Sequence, residues 1–485
     1  MNASSSSLSP SGRAPQSRLI FVALAACACA IAPALIAPLA PIAIGLLPLA
    51  ALFAFSNPFL LCLGFVIFSF FRIHEAFPLL GPLHIPQLLA APTLIVLIWH
   101  VAVKRSIPIY WRAEMTVFAI FFVLVTLGLP FAANKPISIA YWTATYWKIA
   151  VMTLAIAWLI RRPRDFALAS HAFVAAGVAV ASVALYNKAN GIGLVEGTRV
   201  TIARDIQSVL GDPNDLSLVL LFPLSFAVSL FVRRTSWISA LFGLVSTGAI
   251  VAAIIATQSR GGLLGLMTVF AVFGARMIKS KALLIAIGVG ATMILFAAAG
   301  ISGRSSGGAA EEGIDESSMG RIFAWGAAWR MATTHPLNGV GIDNFVPNYF
   351  AYSAHWDGHN HAVHSTWFGV LGETGFPGIL VFFALIVTIA RSAILALRTL
   401  ERDKAPMPAR AMAHAVLAGI AGFCVSGTFL TQGFTWPVYV LLALGAAVAN
   451  FARREDHQSQ EAKQDRESAE VGADIRQFKP IQRGT

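Results

Sequence analysis

Uninterrupted apolar stretches recur along most of this chain, and no other feature constrains its fold as much. A bilayer core is crossed by a helix of ~20 apolar residues, in which every backbone N–H and C=O is satisfied within the segment. Spans are expected near 19–40, 42–56, 58–71, 87–103, 115–132, 145–160, 166–186, 214–232, 237–256, 262–278, 282–299, 366–390, 411–430 and 434–452. Of the 485 residues, 57% are hydrophobic and 12% charged, about half the charge of a soluble domain. The implied fold class is all-α: a polytopic integral membrane helix bundle of about 12–14 spans. The lower figure applies if 42–56 and 58–71, split by the turn signal Ser56-Asn57-Pro58, form a half-inserted hairpin.

The net charge of +12 raises the question of nucleic acid, and its placement answers it. Lys and Arg collect between apolar runs, at Arg13/Arg18, Lys104/Arg105/Arg112, Arg161/Arg162/Arg164, Arg233/Arg234, Arg276/Lys279/Lys281 and Arg391 to Arg410. That is the pattern of loops retained in the cytoplasm. Both termini are then cytoplasmic, with residues 1–18 and 453–485 polar and disordered. Residues 19–186 form N-terminal transmembrane helices, and 187–452 a second membrane region. Segments 133–144, 187–213 and the long loop 300–363 lie on the opposite face. The four cysteines (Cys27, Cys29, Cys62, Cys424) sit in apolar runs and read as core residues rather than a disulfide framework.

Four constellations share that opposite face. His359, His361 and His364, with Asp357 and Trp367, stand at the membrane edge; imidazole moves protons near neutral pH. The same residues also suit interfacial anchoring or, with Asp357, a metal. Ser259-Arg260-Gly261-Gly262 ends a span, where a guanidinium fork suits phosphate and glycines admit a ligand to the backbone; snorkelling to lipid is the plain alternative. Arg204, with Arg199 as competitor, precedes Gly211-Asp212-Pro213-Asn214-Asp215, in which Asp212 is an N-cap and Pro213 the first helical residue. Arg321 opens a helical segment reaching Thr333, followed by a Pro stop and glycine turns. Arginines and a histidine facing one external cavity suggest an anionic, phosphorylated, lipid-linked substrate.

These motifs together resemble the bacterial O-antigen ligase and O-antigen polymerase superfamily. The resemblance runs over residues 195–390: the arginine before Gly-Asp-Pro-Asn-Asp, then Ser-Arg-Gly-Gly, then Arg321-x-x-x-Trp325 and His335-Pro-Leu-x-Gly-Val-Gly-x-x-Asn-Phe345. Its most specific part is His364 followed at set spacing by Leu371-Gly-Glu373-Thr-Gly375-x-x-Gly378. One departure stands out. The family often has Asn after the histidine, where this chain has Ser365, and His359-Asn360 occurs five residues earlier, so His359 rivals His364; the spacing to Leu371 and Glu373 favours His364.

The resemblance implies an inverting, metal-independent glycosyltransferase of cell-surface polysaccharide biosynthesis (lipopolysaccharide or exopolysaccharide). It would lie in the bacterial inner membrane with its site on the periplasmic side, 187–452 being the catalytic region. The donor would be a glycan on undecaprenyl pyrophosphate, the acceptor lipid A-core or another glycan, with membrane lipids around it. No cofactor, metal or nucleic acid is implied. His364, Arg260 and Arg204 are the catalytic candidates; Arg321, Arg199, His359, His361 and Trp367 are candidates for substrate contact. Glu373, nine residues after His364 and so about 180° round a straight helix, should not face the same ligand; a break at Thr374 to Gly378 would leave 364–373 along the membrane surface and make Glu373 structural. Ligase, polymerase and protein-acceptor transfer all remain open. The reading from another class is a lipid-linked-glycan flippase or transporter without chemistry, but such proteins line a path with ionisable residues deep in the membrane, and these spans are nearly uncharged.

Overall fold

A computed structural model describes residues 40–206, 208–234, 236–298 and 316–477. The span expected at 19–40, most of it, and residues 299–315 and 478–485 lie outside the described residues, as does the segment 1–18. By internal contacts the chain divides into Met1–Pro58, whose described part holds the helix Ala40–Ser56, and Phe59–Thr485, which holds both sites discussed below. The architecture is all-α: the protein is 81% helical, and the described residues form no strand beyond an isolated bridge between Val195 and Arg199.

Eight described helices are long and apolar enough to cross a membrane, or nine if Pro48–Ser56 and Pro58–Phe70 are one broken span. The protein is thus a multi-pass membrane protein. Of the other expected spans, 19–40 lies almost wholly outside the described residues, and several form shorter helices. Trp147–Leu159 has 13 residues, Arg260–Met277 carries an arginine at each end of its 18, and Lys281–Leu295 is also short. The final helix, Trp436–Gln477, continues past Arg453, where composition points to disorder. Glu, Ala, Gln, Lys and Arg dominate that extension, and they are strong helix formers.

Burial sorts the helices into centre and rim. The most apolar windows of Pro213–Arg233 and Trp436–Glu461 are each 83% buried, that of Leu80–Val103 only 22%. Rim helices leave Leu88, Ile95, Leu127, Val245 and Leu380 exposed, a surface that suits lipid and not water. Without a hydrophobic drive between helices in lipid, close packing rests on small residues. Gly243 shows this: a Cβ there would lie 2.7 Å from the Ala227 carbonyl oxygen on the neighbouring helix.

Backbone-to-backbone pairing ties the 335–345 turn to the Thr366–Arg402 helix. Val340 N–H donates to the Gly372 carbonyl at 2.9 Å, Gly341 N–H to that of Glu373 at 3.0 Å, and Phe376 N–H to that of Pro336 at 2.9 Å. The helix accommodates this by breaking at Gly375 (φ 69°, ψ −168°), within the Thr374–Gly378 stretch where a break was expected. Glu373, buried, accepts from the Phe345 N–H at 3.1 Å, the structural role expected of it. Asn344 extends the joint to a third segment, accepting from the Asn134 N–H at 2.9 Å and donating to the Ser138 hydroxyl at 2.6 Å.

Only glycine occupies the Gly375 conformation without strain, and a Cβ there would lie 2.5 Å from the Pro336 carbonyl oxygen. Gly375→Ala should therefore lower the Tm of the purified protein and its yield, the backbone strain alone being worth ~1–3 kcal/mol. Gly326→Ala, where the space is open, should leave Tm unchanged or raise it. Equal Tm for Gly375→Ala and wild type would show that the break does not depend on glycine.

Candidate functional site

Three helices begin on one side of the bundle, each with a polar cap. Asp212 Oδ1 accepts from the N–H groups of Asn214 (2.7 Å) and Asp215 (3.2 Å), with Pro213 at the first helical position, as the sequence indicates. Ser259 Oγ accepts from Gly262 N–H at 3.2 Å. Ser365 Oγ accepts from Phe368 N–H at 3.4 Å. The departure at Ser365 thereby finds a physical reason: Ser and Asn are both good N-caps. His364 is the residue just before that cap, whereas His359-Asn360 precedes no helix.

The turn from Gly427 to Gln432 draws these ends together. Thr366 donates its hydroxyl to the Leu430 carbonyl at 2.6 Å, and Gln432 N–H donates to that hydroxyl at 3.1 Å. Gln432 also donates to Asp215 Oδ1 at 2.8 Å. Phe429 packs against Gly261, where a Cβ would be 3.0 Å from the phenylalanine Cβ. The Arg321 guanidinium lies over the same ring, 5.9 Å from its centroid. Trp325, one turn after Arg321 on the helix Glu316–Thr334, stacks on Phe368 and donates to the Val363 carbonyl at 3.2 Å. That spacing explains Arg-x-x-x-Trp: the indole fixes the helix beside His364, and the arginine on the same face reaches the turn.

His364 itself holds a left-handed backbone (φ 45°), uncommon for a residue with a side chain and a frequent mark of functional positions. Burial holds its pKa below the ordinary 6.5; Arg321 and His361 push the same way, and the Asp212 carboxylate pushes back. The imidazole is therefore neutral at pH 7, able to accept a proton, with one carboxylate near enough to favour the resulting cation. Arg204 stands beside the same cap. It is exposed, in the turn Arg204–Ile206, and its Cα lies 2.9 Å from where a Cβ on Gly211 would be. Ser208, in the same loop, donates to Glu75 Oε2 at 2.5 Å, and Glu75 pairs with Arg72 at 2.6 Å.

His364, Arg321, Arg260 (through Gly261) and Arg204 are thus gathered at these helix starts; other sequence candidates stand differently. Arg199 is buried, with Nε donating to the Thr257 carbonyl at 3.1 Å and one terminal nitrogen to Asn214 Oδ1 at 2.9 Å. It clamps two helix ends. Trp367 donates to Thr428 Oγ1 at 3.1 Å and stacks on Phe383. His361 meets both Asp357 oxygens at 2.9–3.0 Å in an exposed loop, and exposed His359 caps nothing beyond a backbone bond to the same carboxylate. Among the described residues, no group of three His, Cys, Asp or Glu side chains is arranged around a metal position. The glycines after Arg260 admit protein rather than ligand, since Gly261 meets Phe429 and Gly262 meets Ser217.

Sequence reasoning passed over Phe429, Gln432 and the Asp212–His364 relation. The available signal was the polar cluster Thr428, Thr431, Gln432 and Thr435, which interrupts two apolar runs on the side where the other motifs lie. An apolar groove of about 460 Å3 between the helices Arg260–Met277 and Lys281–Ala298, lined by Leu284, Val289 and Met293 among others, shares no residue with this site.

The fold and site describe a polytopic helical membrane protein with a cationic, histidine-bearing site at one end of its bundle. Residues 244–383 match the family model described as O-antigen ligase, a stretch holding Arg260, Arg321 and His364. The match supports the O-antigen ligase and polymerase superfamily, and with it a membrane enzyme of that type. A search of curated proteins finds no match to the chain.

Capping makes a direct prediction. Ser365→Asn should retain wild-type Tm and transfer activity, because the cap survives. Ser365→Ala should lose ~1 kcal/mol of stability and reduce activity by displacing His364. If Ser365→Asn falls as far as Ser365→Ala, capping does not explain the residue.

Proposed function

We propose that the protein is a glycosyltransferase of the inner membrane that moves a glycan from undecaprenyl pyrophosphate to an acceptor hydroxyl on the periplasmic side. The acceptor is lipid A-core or a second glycan. The observation that carries this reading is the gathering of His364 and three arginines at the starts of three helices. Helix N-termini and guanidinium groups both favour anions, and a pyrophosphate is the anion a lipid-linked donor brings.

In the proposed reaction the acceptor oxygen attacks the anomeric carbon as its bond to the pyrophosphate oxygen breaks. The acceptor proton passes to His364, and undecaprenyl pyrophosphate leaves. A single displacement inverts the anomeric configuration. Arg260, Arg204 and Arg321 stabilise the charge that develops on the leaving oxygen. Asp212 stabilises the imidazolium, as a carboxylate beside a histidine base does. Arginine charge takes the role that a metal ion would otherwise serve, so EDTA should leave the rate unchanged.

Complementation of a deletion strain tests the assignment. His364→Ala should give no product at normal protein level, since loss of a general base costs ~10²–10⁴-fold in rate. His359→Ala and His361→Ala should be much milder, and Arg260→Lys, which keeps charge but loses the fork, substantially impaired. The deletion strain separates the acceptors: lipid-linked single units mean polymerase, and long lipid-linked glycan means ligase. An indispensable His359 with a silent His364 would overturn the base.

A pH profile tests Asp212. Asn also caps helices well, so Asp212→Asn removes charge while keeping the cap. Asp212 raises the His364 pKa; without it the pKa falls further, and the acidic limb of kcat/KM should move to lower pH with a reduced maximum. An unmoved limb would separate Asp212 from His364.

A further inference from the structure

Helices that begin around His364 carry a second charged cluster at their far ends. Arg233, Arg276 and Glu401 close the helices Pro213–Arg233, Arg260–Met277 and Thr366–Arg402, while Arg410 and His414 lie in the first two turns of Met407–Ser426. Glu401 is the hub: it meets Arg233 at 2.9 Å, Arg276 at 3.3 Å and His414 at 3.2 Å. Arg410 is near enough to Arg233 and His414 to act on both electrostatically. Two guanidinium groups and an imidazole therefore share one carboxylate, both of whose oxygens are engaged, and a third guanidinium stands nearby without a carboxylate of its own in the cluster.

The donors outnumber the acceptors. Arg233 Nε and Arg410 Nε are buried donors with no hydrogen-bond partner, two of the six unpartnered buried side-chain atoms among the described residues; His414 Nδ1 is a third, but with Nε2–H turned to Glu401 the neutral ring carries a lone pair there. His414 is 1% exposed, its ring stacked on Phe273. Buried donors are ordinarily satisfied. Three helix C-termini also end here, and their partial negative charge offsets part of the cationic excess, but it supplies no acceptor to those nitrogens.

We infer that this cluster is a phosphate-binding site, taking the phosphate of an anionic phospholipid headgroup or free inorganic phosphate. Phosphate brings several acceptor oxygens and matches guanidinium forks. The cluster lies at helix ends, on the side that the charge pattern assigns to the cytoplasm, where headgroup phosphates stand. The proposed transfer, which works at the other ends of the same helices, makes no use of it.

Thermal unfolding of the full-length protein in phosphatidylcholine nanodiscs tests the site. In one arm phosphatidylglycerol is added to the discs; in the other, inorganic phosphate is titrated. A saturable rise in Tm is expected, in the first arm if the source is lipid and in the second if it is free phosphate. Arg233→Gln and Arg410→Gln should weaken binding at least about tenfold, as losing a charge-assisted hydrogen bond does. Arg330→Gln, which removes an exposed arginine that has no part in either cluster, should respond as wild type. Glu401→Gln, which frees the arginines of their counter-ion, should bind more tightly and keeps the test decisive if an arginine variant does not fold. No rise in either arm, an equal rise in the Arg233 and Arg410 variants, weaker binding by Glu401→Gln, or a rise lost equally in Arg330→Gln would overturn the inference.

Discussion

Thr366 donates its hydroxyl proton to Leu430 and receives the Gln432 N–H, both within 3.1 Å in a buried setting. Everything at the candidate site depends on that pair of bonds. They hold the Gly427–Gln432 turn against the first turn of the helix that follows His364. From the turn, Phe429 reaches Gly261 and lies beneath Arg321, and Gln432 reaches Asp215. Five segments distant in sequence meet at one small joint. In a low-dielectric interior such bonds are strong when complete and costly when broken, so the relative positions of histidine and arginines are fixed by a few hydroxyl and amide groups.

How legible this was in the sequence depends on the kind of interaction. Apolar length gave the helices, and local chemistry gave the cap at Asp212 and the break near Gly375, because both are decided within a few residues. Glycines were legible as close approaches but not as to what approaches: beside Arg260 they meet Phe429 and Ser217 instead of a ligand. The most specific stretch, Leu371-Gly-Glu373-Thr-Gly375, proves to be backbone carpentry, pairing with the 335–345 turn. Phe429 and Gln432 escaped notice because a span end without local pattern reveals its partners only once folded. Arg199 and Trp367 show the converse, residue types suited to substrate that are occupied in holding helix ends.

Both ends of these helices are cationic, for different physical reasons. At the His364 end, arginines stand with three helix N-termini, so dipoles and side chains favour the same anion. At the far end, Arg233 and Arg276 close two helices at their C-termini, where a cation is already welcome, and Glu401, at the end of a third, gathers them. The apolar length between leaves little charge in the bilayer core, where it is expensive. Chemistry on such a scaffold is confined to the two surfaces, and the proposed transfer takes the one that holds His364.

The central claim is that His364 accepts the acceptor's proton. Single-turnover transfer by purified His364→Ala protein, with and without added imidazole, tests it most directly. The account predicts a loss of ~10²–10⁴-fold and a partial recovery that scales with the concentration of neutral imidazole as pH is varied. A single-turnover rate equal to that of the wild type, or a loss that neutral imidazole leaves untouched while donor binding is intact, would contradict it.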